Sequence, residues 1–266
     1  MRVLSDENAI SDYNRSQATL SSAYGMVNAE PVSCSIAENI QLVVQSIQQA
    51  ALRTGRDPQD IRVVAVTKTV MADRLRQAHA SGLRTFGENR LQEAQQKQGS
   101  LQDLRDVSWH FIGQVQRRKI KDVVGQFHLI HSVESLEQAT AMDTRARDMD
   151  ITQAILLQVN VSGEATKGGF SVPEVKTVLP EFEKLQHLTV RGLMTIPPWS
   201  KDGERARPYF RALRELAQTV EQQDYERTKM EELSMGMSRD YPVAVEEGAT
   251  LVRIGTALFG TRNPVG

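Results

Sequence analysis

The segment RVVAVTKTVMADRLRQAHASGLRTFGEN (62–89) reads as one strand–helix–strand unit. RVVAVTK (62–68) is a short β-branched run, 72–81 carries helix formers, and TFGEN (85–89) is a second short run of strand type. The alternation continues C-terminal to this unit. Strand-type runs recur as WHFIG (109–113), LIHSV (129–133), AILLQVNV (154–161), VRGLMTI (190–196), ELSMGM (232–237) and LVRIG (251–255). Helix formers fill 90–97, 114–124, 135–148, 172–185, 204–223 and 240–247. Strands that alternate with helices pair in parallel through crossover helices. Eight such units over roughly 230 residues fit a (β/α)8 barrel, the TIM barrel, better than a doubly wound open sheet. On the N-terminal side, Ile36, Ile40, Val43, Val44, Ile47 and Ala51 recur at helical spacing, which predicts an extra amphipathic helix over 36–54. Only TALFGTRNPVG follows the eighth strand, too short for a standard eighth helix, so the extra helix is the candidate cover for the surface left bare. Residues 1–34, rich in Ser, Asn, Ala and Asp without a clear period, are expected to be a flexible tail, and 35–266 the barrel domain.

Composition narrows the function classes. The 266 residues are 40% hydrophobic and 24% charged, within the range of ordinary globular proteins. Lys and Arg number 32 against 33 Asp and Glu, so no global basic field points to nucleic acid. Cys34 is the one cysteine, which excludes an internal disulfide framework or a Cys-rich zinc site. No apolar run approaches the ~18 residues of a membrane span, and the start MRVLSDENAISDYNRSQ lacks a secretory apolar core. The expectation is a soluble, cytoplasmic protein with no membrane partner.

Strand parity then places polar residues inside the barrel. Val64, Val66 and Lys68 share one face, so Lys68 ends an inward column at the C-terminal mouth, where barrel active sites form. In the fifth strand Gln158, Asn160 and Ser162 share a face, and in the seventh Ser234, Gly236 and Ser238 do. Arg253 stands between Val252 and Ile254, and an arginine there is costly unless something anionic or polar meets it. An ordinary ion pair with an inward carboxylate, such as Glu88, is the plain alternative to a ligand. Barrel closure makes the first and eighth strands neighbours and brings Lys68 and Arg253 to one mouth. The glycines and hydroxyls of SMGMS (234–238) and RIGT (253–256) end strands seven and eight, where barrels commonly hold phosphate. A lysine beside a phosphate cup suggests Schiff-base chemistry, with either a phosphorylated sugar or pyridoxal phosphate as the carbonyl compound.

Smaller signals are read plainly. Arg117, Arg118, Lys119 and Lys121 after the third strand are expected to form a solvated face. The histidines show no metal-ligand spacing, and His110 and His131 are expected to be satisfied core groups. LMTIPPWSKDGERARPYF (193–210) holds three prolines and reads as a stiff loop over the mouth.

VAVTK (64–68), FGENRLQEA (86–94), WHFIGQVQRRK (109–119), QVNVSGEATKGGF (158–170), RGLMTIPP (191–198), LSMGMSRD (233–240) and VRIGTALFG (252–260) resemble the pyridoxal phosphate homeostasis protein family. The resemblance runs in order from about residue 36 to 262. It implies an alanine racemase N-terminal-like barrel that carries pyridoxal 5′-phosphate (PLP). By the same resemblance Lys68 is the lysine of the Schiff base, and Ser234, Gly236, Met237, Ser238, Gly255 and Thr256 form the phosphate cup. Arg253 resembles the arginine facing the pyridine nitrogen, and Asn89 and Met194 resemble cofactor-lining residues. Where the family has Leu and Asn in the third-strand motif this chain has Val115 and Arg118, and Arg239 precedes Asp240 where an acid or amide is usual. The function implied is binding and homeostasis of PLP, with amino-acid balance downstream, in a monomer that need not be an enzyme. PLP-dependent apoenzymes are the partners this reading admits. The alternative is a PLP-dependent amino-acid racemase, which relies on a second domain for which 266 residues are expected to leave no room.

Overall fold

The computed structural model describes residues 35–261. The expected tail, 1–34, lies outside the described residues. Ser35 starts the first helix with a reciprocal cap. Its hydroxyl accepts from the Glu38 N–H at 3.2 Å, and its own N–H donates to the Glu38 carboxylate at 2.6 Å.

Helix α1 spans Ile36–Arg53, followed by β1 (Arg62–Val66), α2 (Ala72–Ala80), β2 (Thr85–Glu88), α3 (Leu91–Ser100) and β3 (Ser108–Phe111). A 3-10 turn, Arg117–Lys119, leads into the short α4 (Ile120–Val123), then β4 (Leu129–Val133), α5 (Leu136–Asp148) and β5 (Gln153–Gln158). The remainder is α6 (Val172–Phe182), β6 (Leu188–Met194), α7 (Arg207–Glu221), β7 (Thr228–Met237), α8 (Tyr241–Glu246), β8 (Leu251–Ile254) and α9 (Thr256–Phe259). The strands close in sequence order, all parallel, with β1 beside β8 in the register Val64 opposite Arg253. This is the expected (β/α)8 barrel. Among the described residues no helix is long and apolar enough to cross a membrane.

Parity divides the core in two. Val64, Leu129, Leu156, Met194 and Leu251 pack inside the barrel. Ala65, Phe86, Ile130, Leu157 and Ile254 face outward into the larger layer beneath the helices. Helix α1 covers the flank left open by the four-residue α9. Asn39 Nδ2 donates to the Leu258 carbonyl at 3.0 Å, and Arg53 meets Glu246 at 2.7 Å. At Gly192 (φ +148°) a β-carbon would fall 1.9 Å from the Glu232 carbonyl oxygen, so β6 and β7 approach as they do only because no side chain intervenes.

The rim that carries Lys68 rests on a buried ionic cluster. Lys97 of α3 donates to the Thr67 carbonyl (2.5 Å), Glu88 (2.5 Å) and Glu93 (2.6 Å), using all three ammonium protons. The Thr67 hydroxyl adds a 2.5 Å bond to Glu88, and the Thr69 N–H donates to Glu93. Thr69 sits at φ +60°, an unusual conformation for a β-branched residue and one held from below by that contact. Burial raises the Glu88 carboxyl above its ordinary range, opposed by the bonds from Lys97 and Thr67.

Removing Lys97 would strand the Glu88 carboxylate in the protein interior. Lys97→Met is expected to lower unfolding free energy by about 3–5 kcal/mol in urea denaturation. Lys97→Met combined with Glu88→Leu is expected to recover most of that loss. A single variant as stable as the parent would show the cluster to be dispensable.

Candidate functional site

The C-terminal ends of β1, β7 and β8 and the loop after β6 enclose a cavity of about 600 Å³. Of the expected site residues, Lys68, Met237, Ser238, Arg253, Gly255 and Thr256 line it together. Lys68 ends the inward column of β1 and is exposed, and among the described residues no hydrogen bond or ion pair holds its ammonium group. At the neighbouring ends of β7 and β8 the Ser238 hydroxyl accepts from the backbone N–H groups of Gly255 and Ala257, both at 3.3 Å. These long contacts leave a ring of donors that a compact oxyanion can take over. Gly236 (φ +88°) allows the β7 end to turn against α8, since a β-carbon there would lie 2.5 Å from that of Ala244.

Arg253 crosses the interior beneath this ring with 5% of its surface exposed. It donates to the Ser234 carbonyl (2.8 Å), the Ser234 hydroxyl (2.5 Å) and the Thr195 carbonyl (2.8 Å). No carboxylate bonds to it. The ion pair with Glu88 does not form, because the register Val66 opposite Gly87 turns Gly87 inward and Glu88 outward to Lys97. Burial lowers the Arg253 pKa to about 10, with Asp240 acting in the opposite direction, so the guanidinium keeps its charge at neutral pH. Three of its five N–H bonds are committed, and the residue is among those that line the cavity.

Behind Arg253 the polar chain continues. Ser234 Oγ meets His131 Nδ1 at 2.8 Å, and His131 Nε2 meets His110 Nδ1 at 2.9 Å. Both histidines are satisfied interior groups, as the sequence suggests. Burial is the main cause that lowers His110 to about 3 and His131 well below 6.5. Neutral rings accept at one nitrogen and donate from the other, so each link carries one proton without adding charge beside Arg253.

The other expected residues are placed differently. Ser234 and Met194 lie beneath the cavity, the first bonded to Arg253 and the second packed in the barrel interior. Asn89 lines a separate cavity, and its side-chain oxygen is buried with no partner among the described residues. Sequence reading missed Asp240, which accepts from the Met237 N–H at 2.5 Å and pins the β7 loop. Its spacing three residues after Met237 was the available signal. The proline-stiffened loop does border the cavity, through Ile196 to Ser200, with Trp199 exposed and the Arg239 guanidinium 5.0 Å from its ring centre.

The sequence model of the family described as alanine racemase, N-terminal domain, matches residues 52–263. A pyridoxal phosphate homeostasis protein of Aquifex aeolicus is 44% identical over 225 residues, covering 85% of this chain and 97% of that protein. One of the same name from Pseudomonas aeruginosa is 42% identical over 228 residues, covering 86% and 96%. The solved structure of PipY from Synechococcus elongatus with PLP bound is 37% identical, with a TM-score of 0.72, and covers 85% of this chain and all of that one. The chain belongs to the pyridoxal phosphate homeostasis protein family.

The neutral histidines set an acid limit on the fold. Both take up protons near pH 6.5 once unfolded but resist doing so when folded, so the unfolded state binds more protons and stability falls as pH drops below 6.5. Between pH 6.5 and the His110 value of about 3, the expected slope is about 1.4 kcal/mol per pH unit for each histidine that stays neutral. Urea unfolding at pH 7.5, 6 and 5 reads it, and replacing both rings by glutamine should flatten the profile. Equal slopes in parent and double variant would remove the histidines as its cause.

Proposed function

We propose that this member of the pyridoxal phosphate homeostasis protein family binds PLP in the 600 Å³ cavity and holds it reversibly, serving cellular PLP homeostasis. The observation that carries the reading is the presence, in one cavity at adjacent strand ends, of a primary amine with no partner among the described residues and a set of backbone donors. The donor set fits the group. Bound PLP would supply an aldehyde, and Lys68 would be the residue whose amine could hold it as a Schiff base, with loss of water. The Gly255 and Ala257 N–H groups, with the Ser238 and Thr256 hydroxyls, are the donors for its phosphate. Gly236 gives the loop its close turn, and Met237, 37% exposed, supplies apolar wall.

Arg253 gives this site its chemical character. A permanent cation beside a pyridine nitrogen disfavours protonation there, and an unprotonated ring withdraws electrons weakly. Ser234 and Thr195 fix the guanidinium from below, so it cannot retreat as a carboxylate-paired arginine on a surface could. In this reading these residues bind and orient the group. The role proposed is therefore storage and exchange of a reactive aldehyde rather than turnover. We place it in the cytoplasm as a monomer, with PLP-dependent apoenzymes as recipients; a single cysteine in 266 residues fits a reducing compartment.

Borohydride treatment of protein equilibrated with PLP, followed by peptide mass analysis, tests the assignment. The expected result is one phosphopyridoxyl group on the peptide containing Lys68. Lys68→Ala should lose it while unfolding free energy stays within about 0.5 kcal/mol, because the side chain is exposed. Labelling elsewhere with Lys68 unmodified would remove the proposal.

A further inference from the structure

Four strands place a line of polar side chains across the barrel interior: Arg253 on β8, Ser234 on β7, His131 on β4 and His110 on β3. The links measure 2.5 Å from Arg253 Nη1 to Ser234 Oγ, 2.8 Å from Ser234 Oγ to His131 Nδ1 and 2.9 Å from His131 Nε2 to His110 Nδ1. Ser234 and His131 are fully buried, and His110 is nearly so. Two imidazoles in such a place are expensive, because apolar side chains of that size would fill the space with no polar atom to satisfy. The PLP reading leaves both histidines without a role.

Counting protons gives the line a direction. An arginine only donates, so the Ser234 oxygen accepts from Arg253 and its hydroxyl has one proton to place. With a proton on His131 Nδ1, that N–H would also point at the Ser234 oxygen, and the hydroxyl proton would need a further acceptor. Among the described residues Ser234 Oγ bonds only to Arg253 and His131. The arrangement that pairs every one of these protons has Ser234 donate to His131 Nδ1, and His131 Nε2–H donate to His110 Nδ1. All the donors then point away from Arg253. A hydroxyl that donates to a good acceptor is itself a stronger acceptor for the next donor, here the guanidinium.

We infer that His131, backed by His110, is a positioning residue for the PLP site: it takes the Ser234 hydroxyl proton, keeps that oxygen an acceptor for Arg253, and so fixes the guanidinium. The inference rests on the assignment of PLP to the Lys68 cavity, which Arg253 lines and neither histidine does. A ring present only to fill the core would serve equally with either nitrogen protonated.

Two measurements test it. In the full chain without PLP, the nitrogen chemical shifts of the imidazoles read the tautomers, and both His131 and His110 are expected to be neutral with the proton on Nε2. This reading needs no variant, so it stands where a substitution unfolds the barrel. With PLP added, titration of the absorption of the bound cofactor gives its affinity. His131→Leu should raise the Kd about tenfold and shift the band in the direction that Ser234→Ala shifts it. His131→Asn, whose amide oxygen can stand where Nδ1 does, should remain within about threefold of the parent. In the Ser234→Ala background His131→Leu should change the Kd less than about twofold, since the coupling runs through that hydroxyl. A parent left unlabelled at Lys68 by borohydride would overturn the PLP assignment and this role with it. A labelled parent with a proton on His131 Nδ1, with equal losses in His131→Leu and His131→Asn, or with losses that add to that of Ser234→Ala, would overturn the role alone.

Discussion

A closed barrel of eight parallel strands leaves each strand one inward and one outward column, and the mouth is built on that constraint. Closure sets β1 against β8 with Val64 opposite Arg253, so the column ending in Lys68 runs beside the one ending in Gly255. A shift of one residue in either strand would exchange inward and outward sets. Lys68 would then point at the helices and Thr67 at the cavity. The apolar contacts of Val64 and Leu251 inside, and of Ala65 and Ile254 outside, make that shift prohibitive. The core thus determines which amine faces the cavity.

The two buried charge systems near the rim solve the same problem differently. Lys97, facing outward under the β1 rim, is neutralised by two carboxylates and has no proton left to offer. Arg253, facing inward, meets only neutral acceptors and keeps both its charge and spare donors. The first arrangement is complete in itself and serves to hold the Thr67–Thr69 turn. The second leaves a charge whose compensation is open, and Asp240 supplies only part of it. The histidines behind Ser234 remain neutral, which avoids adding a second cation to an interior that already contains one.

How much of this could be read in the sequence follows from the same distinction. Period-two alternation gave the inward places of Lys68, Ser234 and Arg253, because burial enforces it within each regular stretch. The register shift of β7 between Ser234 and Met237 breaks the expected Ser234–Gly236–Ser238 column, and Met237 stands opposite Arg253. Alternation did not exclude Glu88 as the partner of Arg253, because the sequence reading set Glu88 inward; the register of β2 against β1 instead turns it outward with Phe86. Extra cover by the 36–54 helix was legible from the shortness of the segment after β8. What periodicity does not report is where loops go. Asn89 belongs to a different cavity from Lys68, and Asp240 folds back on Met237, because each depends on a turn beyond the last strand residue. The run Arg117 to Lys121 looked like a solvated face since its charges are local in sequence. In the structure Arg117, Arg118 and Lys121 are exposed, as expected of such a face, and Arg118, Lys119 and Lys121 also border a concavity formed where α3 and the β3–α4 segment stand side by side.

That placement changes what the near-zero net charge means. Charge summed over 266 residues predicts weak nonspecific attraction to polyanions, yet it says nothing about how cations are paired. Exposed pairs such as Arg76 with Asp103 and Lys184 with Glu181 consume much of the positive charge in local contacts of small energetic weight. The cations left without carboxylates include Lys68 and Arg253 in one concavity and Arg90, Arg118, Lys119 and Lys121 in the other. Low-dielectric walls strengthen the field inside such concavities relative to an open surface. Net charge near zero therefore still leaves local positive potential where, among the described residues, cations such as Lys68 and Arg253 have no carboxylate bonded to them.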